Sequence, residues 1–440
     1  MRRLLAVLLV AGVLTTIGAL GVVGGDDGDP SAAPAPTATG ASYAAVRGGD
    51  LPEVVAGLQQ RLRELPEDWT TWAALALAQI EQARTTGDAT LYDRAEEAVD
   101  RSLAIQPEDN ALALAARAAL LAARHDFGEA LAASEAALAV DRFQPTALAT
   151  RVDALTELGR YDDQLAALRQ ADRLQPGVPV STRYAYAFEL RGRLDDAAAL
   201  LRRTLDGATT AAERSFVLTT LADVLRRRGD LDAAERAATE ATRLDPAYVP
   251  AAVSLARIAT ARGDLDAAVE AWTAIVQRLP LTDHLVELAE LHLARGDDDA
   301  AAQQLAVVAA SEALQEQGGV DVDLESAFYE ADHGDPARAL AKAQAVWDAG
   351  RRSLHAADAL GWALHVNDRS REALPLLRRA TALGPAEARP WLHRGLVEAS
   401  LGLDEAARTS LRRGLATDPG VSPWQRARAE RALADLGGRR

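Results

Sequence analysis

Apolar residues in this chain recur at helical spacing, and large and small ones follow each other in a fixed order. The stretch Trp391–Pro419, WLHRGLVEASLGLDEAARTSLRRGLATDP, shows that order most fully. Trp391, Gly395 and Glu398 fall on a predicted helix that ends at Leu401-Gly402. A second helix opens near Asp404 and carries Ala407, Leu411 and Gly414 down to Asp418-Pro419. Gly395 and Ala407 are small where two antiparallel helices would touch, and Trp391 and Leu411 fill the space beside them. Gly402 supplies a turn conformation that side chains disfavour. Pro419 stops the second helix.

The same order repeats along the chain. Helix pairs are predicted over about Trp69–Pro107, Ala111–Arg142, Pro145–Pro176, Pro179–Asp206, Ser215–Pro246, Tyr248–Pro280, Thr282–Gln315 and Leu354–Pro385, with a further pair turning at His333-Gly334-Asp335-Pro336. The first pair has extra residues between its helices (ARTTGDATLYD), and further insertions fall near Gly207 and Gly318-Gly319. The turn glycines Gly159, Gly192, Gly229, Gly263, Gly296 and Gly334 are spaced 33, 37, 34, 33 and 38 residues apart. A period of about 34 with this packing order resembles the tetratricopeptide repeat. The resemblance runs from Leu51 to Leu436 and departs from the family pattern at Arg117, Arg151 and Arg394, which stand where apolar residues are usual. It implies an all-α, right-handed superhelical solenoid of about ten hairpins with helical caps. It also implies a non-enzymatic protein-interaction scaffold that holds a protein or peptide in its concave groove.

The ends read differently. Met1-Arg2-Arg3 precedes twenty uncharged, mostly apolar residues, Leu4 to Val23. Such a run is long enough to span a bilayer, with the arginines inside. Residues 1–23 are therefore expected to be a membrane anchor, or a signal segment that is cleaved, with the body outside the cytoplasm. Residues 24–49, rich in Gly, Ala, Pro, Ser and Thr, read as a disordered linker. Asp50 and Glu53 form a capping-box pattern at the start of a capping helix over 50–66. The repeat array then covers 67–419, and 420–440 hold a C-terminal capping helix and tail.

Composition narrows the chemistry. The 440 residues carry a net charge of -16, no Cys and a single lysine, Lys342. The arginine- and alanine-rich, lysine-poor usage resembles that of high-GC bacteria such as actinobacteria. An acidic chain is a poor partner for nucleic acid, which needs a clustered basic surface. No Gly-x-x-x-x-Gly-Lys, HExxH or GxSxG motif is present, and no cofactor is expected. Four of the seven histidines lie between His333 and His393, near Asp321, Asp323, Glu325, Asp332 and Asp335. That clustering supports an alternative role, an accessory protein of an exported metal-handling pathway. His355 and His365 lie about 15 Å apart along one helix and cannot share an ion; no metal ligand set is assigned. His284 and Glu287 read as a plain surface pair.

One face of each first helix should line the groove. It is bland early (Leu112, Ala115, Ala119) and charged later (Asp223, Arg257, Asp283, Glu290). The predicted partner-binding site is Phe328, Asp332, His355, Asp358, Trp362 and His365. There Phe328 and Trp362 should stand side by side as an apolar anchor rimmed by carboxylates, suited to a partner segment with an apolar and a basic side chain. The competing reading makes these residues packing aromatics and solvated charges. The oligomeric state is not legible.

Overall fold

The computed structural model describes residues 51–317 and 324–438. The predicted anchor Leu4–Val23, the linker 24–49, Asp50, Gly318-Gly319, Asp321 and Asp323 lie outside the described residues. Within them are 22 helices and no strand. The first is α1 (Leu51–Glu64). Ten hairpins follow: α2 (Trp69–Thr86) with α3 (Thr90–Ile105), α4 (Ala111–Ala123) with α5 (Phe127–Val140), α6 (Pro145–Glu157) with α7 (Tyr161–Leu174), α8 (Val178–Glu189) with α9 (Leu194–Gly207), α10 (Ala211–Arg227) with α11 (Leu231–Leu244), α12 (Val249–Arg262) with α13 (Leu265–Arg278), α14 (Thr282–Arg295) with α15 (Asp298–Gln317), α16 (Leu324–His333) with α17 (Pro336–Asp348), α18 (Leu354–Val366) with α19 (Ser370–Ala380), and α20 (Ala388–Ser400) with α21 (Asp404–Thr417). The last helix is α22 (Pro423–Gly438). This is the expected all-α solenoid of tetratricopeptide-type hairpins.

Local chemistry sets the helix ends. Asp126, Asp230 and Asp264 each accept the backbone N–H three residues on, opening α5, α11 and α13. Gly263 and Gly296 close α12 and α14 in the left-handed conformation. Gly334 differs: its φ is not positive, and the Glu330 carboxylate lies where its Cβ would stand. Glu330 accepts the Asp335 N–H at 2.8 Å, so glycine is required there for close approach. His125 and Asp368 take positive φ values in turns that have no glycine. The extra residues before α3 lengthen α2 instead of forming a long loop.

The large–small order is a packing order. A Cβ on Gly395 would come within 2.6 Å of Leu411 Cγ, and one on Gly361 within 2.8 Å of Leu377 Cγ. Ala373, Leu377, Ala407 and Leu411 are fully buried. The off-pattern arginines find partners: Arg117 with Asp100, Arg151 with Gln170, Arg394 with Glu398.

The described chain forms two compact units divided inside α8, between Arg183 and Tyr184, with 210–212 joining the first. In the first unit α1 caps α2 through Val55, Leu58 and Leu62. In the second unit the hairpins curve until early and late parts meet. The Ala386 N–H donates to the Glu189 carbonyl at 2.9 Å, and Arg226 pairs with Asp418. The first helices of the unit thus face one another across a common interior, and α22 packs against α14, α20 and α21.

Candidate functional site: the interior of the second unit

The first helices bring ionisable side chains to this interior. Three histidine–carboxylate pairs are built across neighbouring hairpins. His333 Nε2 lies 3.0 Å from Glu290, His355 Nε2 lies 2.8 Å from Glu387, and His393 Nδ1 lies 3.0 Å from Asp358. Burial works to raise the Glu387 carboxyl, but His355, Arg227 and Arg389 outweigh it and hold it at about 2. His355 also acts electrostatically on Glu325, and among the described residues no three His, Asp or Glu side chains converge as a metal site.

A second group encloses an aromatic ring. Trp362 is fully buried. Its Nε1–H donates to Asp332 at 3.0 Å, and His393 stacks on its face with centroids 4.1 Å apart at 4°. On α22, Arg428 reaches the same Asp332 at 3.1 Å and lies 4.6 Å from the Trp362 ring centre. Trp424, one turn earlier, sits 4.8 Å from His333. His365 bonds Ser370 Oγ at 2.9 Å; burial, then Arg428 and His393, pull its imidazole down to about 4.

A third group still meets solvent. Asp223, Arg257, Glu287, Glu325 and Arg389 keep between 21% and 30% of their side-chain surface exposed. They act electrostatically on one another and on Asp283. These partly exposed side chains form a water-accessible cluster of charges, the charged chamber of the second unit. Burial raises the carboxyls of Glu287 and Glu325, with neighbouring acids adding to the shift and Arg257 and Arg389 opposing it. Glu189 is likewise raised by burial despite its 2.9 Å bond from Arg227, with Asp223 and Glu387 adding to the rise.

The six predicted partner-binding residues are therefore brought together, but as an enclosed network. Phe328 and Trp362 share one core cluster with His393 against both rings. Arg389 covers the Phe328 face at 3.7 Å. Asp358 is fully buried, and His355 is nearly so. The expectation of an exposed aromatic anchor is corrected: helical phase places these side chains inward, but α20 and α22 supply the lids. His284 is corrected as well. It is buried, with Nδ1 at 2.9 Å from the Leu279 carbonyl and its ring 5.6 Å from Trp272.

Several residues were not assigned to the groove from sequence: Glu387, Arg389, Trp424, Arg428 and His393, the last counted only in the histidine cluster. His393 stands two residues before the packing glycine Gly395, while the matching position before Gly361 is Ala359. Reasoning position by position from one repeat to the next therefore passes over it.

The tetratricopeptide repeat family matches residues 219–281 and 359–422. No curated protein matches the chain. Among solved structures, the human IFIT1 dimer with m7Gppp-AAAA is 15% identical over 87% of this chain and 91% of that one, with a TM-score of 0.46. The APC/C hetero-tetramer Cut9-Hcn1 is 15% identical over 88% and 93%, with a TM-score of 0.39. PilW, a type IV pilus biogenesis factor, is 21% identical over 46% and 92%, with a TM-score of 0.40. Superpositions this loose carry no argument about function. The family model thus matches two pairs of hairpins, and the same large–small helix hairpin recurs through both units, which makes the fold a solenoid of tetratricopeptide type.

Proposed function

We propose that the protein is a non-enzymatic scaffold of the cell envelope whose second unit holds a basic segment of a partner protein. The observation that carries this reading is the charge of the water-accessible chamber. Asp223, Asp283, Glu287 and Glu325 line it, against the guanidiniums of Arg226, Arg257 and Arg389. Glu287 and Glu325, whose carboxyls burial raises, gain from an added cation. Tetratricopeptide folds commonly present such concave surfaces to proteins and peptides. The contact zone thus moves from the covered Phe328–Trp362 pair to the open chamber wall. Fluorescence anisotropy with a labelled Arg/Leu-rich peptide and its Glu-for-Arg counterpart tests the reading. The basic peptide should bind tighter, weaken as salt rises, and weaken further in Glu287→Gln/Glu325→Gln. Equal binding of the two peptides would overturn it.

The envelope placement rests on Leu4–Val23 behind Arg2 and Arg3. Fractionation should find the protein in the membrane, with its body cut by protease added to intact spheroplasts. Recovery in the cytosol would end that part of the proposal.

A further inference from the structure

The last helix, α22, has two working faces. One closes the open end of the final hairpin: Ala429 and Leu436 are buried with Leu392, Leu411 and Val421. The other turns inward and does what a cap does not require. Trp424 packs on His333, and Arg428 lies over the Trp362 ring while bonding Asp332. A guanidinium on an aromatic face, fixed by a carboxylate, is a strong form of arginine recognition. Asp332 is oriented for it by the Trp362 Nε1–H, and His333 is oriented by Glu290.

We propose that Asp332, Trp362 and His333 form a seat for a helical segment of a partner protein, one carrying an aromatic residue and, four positions later, an arginine. Trp424 and Arg428 of α22 occupy that seat as an internal ligand until the partner segment replaces them. The proposal rests on the scaffold reading above and adds to it a second contact beside the chamber. Residues four apart share a helix face, so any helix with this pair reproduces the contact made by α22. The attachment of α22 favours exchange. Of its residues only Ala429 and Leu436 are buried, with Trp424, Arg428, Ala432 and Leu433 partly so, whereas α18 buries eleven residues from Leu354 to Leu364. Elements with so little buried surface open at lower free energy than the core. The Asp332 carboxylate selects a basic replacement.

The test uses the full chain and, as probe, a labelled synthetic peptide of residues 420–438. Arg428→Glu turns the internal ligand against Asp332 while leaving Ala429 and Leu436 in place. Hydrogen exchange over 423–438 should accelerate in this variant, while α18 and α20 stay protected. The variant should bind the peptide at least about tenfold tighter than the wild type, whose own helix competes for the seat. Adding Asp332→Asn should remove that gain. Should Arg428→Glu loosen α18 as well, Trp424→Ala carries the same comparison. Equal peptide binding by wild type and variant would overturn the proposal, as would unchanged exchange of α22 or a gain that survives Asp332→Asn. The chamber reading uses other residues and another probe, so it stands or falls separately.

Discussion

Replacing Trp362 by alanine distinguishes a core ring from a binding anchor. The indole is fully buried between His393 and Arg428. Truncating a buried Trp to Ala removes its transfer free energy and leaves a cavity, at a cost of about 3–5 kcal/mol. The stack on His393 falls within that figure. The lost bond to Asp332 adds little, because Arg428 still donates to that carboxylate and no acceptor is orphaned. The expected loss is therefore about 4 kcal/mol, confined to the hairpins that share the ring. Hydrogen exchange reads this directly: α16, α18 and α20 should lose protection, while α12 and α13 serve as an internal reference. Trp362→Phe keeps an aromatic ring but loses the pyrrole half of the indole with its Nε1–H, and should cost less than the alanine, about 1–3 kcal/mol. A loss below about 1 kcal/mol for Trp362→Ala, with exchange unchanged, would refute the packing argument. It would restore the exposed anchor expected from sequence.

Three further outcomes follow from the same contacts. Lys342, the single lysine, is buried against Glu312 and the Ser326 hydroxyl; Lys342→Met should cost about 3–5 kcal/mol in urea unfolding by leaving Glu312 unpaired, and Glu312→Leu in the same chain should recover most of it. Gly395→Ala should lower the melting temperature, because overpacking against Leu411 at about 1–3 kcal/mol exceeds the helix-propensity gain, whereas Gly437→Ala, with open space around it, should not. His365, held at about 4 where an unfolded histidine titrates near 6.5, binds fewer protons when folded, so stability should fall as pH drops through that window; between pH of about 7 and 5 the wild type should lose about 2 kcal/mol more than His365→Gln, measured by urea midpoints at each pH.

The hairpins were legible because their causes are local. The pairs Gly395–Leu411 and Gly361–Leu377 need one small and one large residue a single hairpin apart, and that spacing is written along the chain. Where turn chemistry has alternatives, legibility weakens. His125 and Asp368 do the work of a turn glycine, and Gly334 serves a close approach by Glu330 instead of a left-handed turn. The inward phase of Phe328, Asp332, Asp358 and Trp362 was also legible, since it follows from helical periodicity.

What covers these side chains was not legible, because it depends on how far the second unit curves. Arg428 meets Asp332 across 96 residues, and Arg226 meets Asp418 across 192. No periodicity links such positions. They meet only after small crossing angles have accumulated over many hairpins. The same accumulation explains why buried charge is tolerated here. An inner-face carboxylate in an open groove would be solvated by water. Once the unit closes, the same group must be answered by protein, and His333, His355, His393 and Arg227 provide the answer at Glu290, Glu387, Asp358 and Glu189. Where closure leaves water access, the answer is looser: Asp223 meets Arg226 at 3.9 Å, Glu287 meets Arg257 at 3.4 Å and Glu325 meets Arg389 at 3.7 Å, each longer than the enclosed pairs. Function is therefore sought at these loosely paired charges, and at the edge where α22 supplies an arginine from the chain itself.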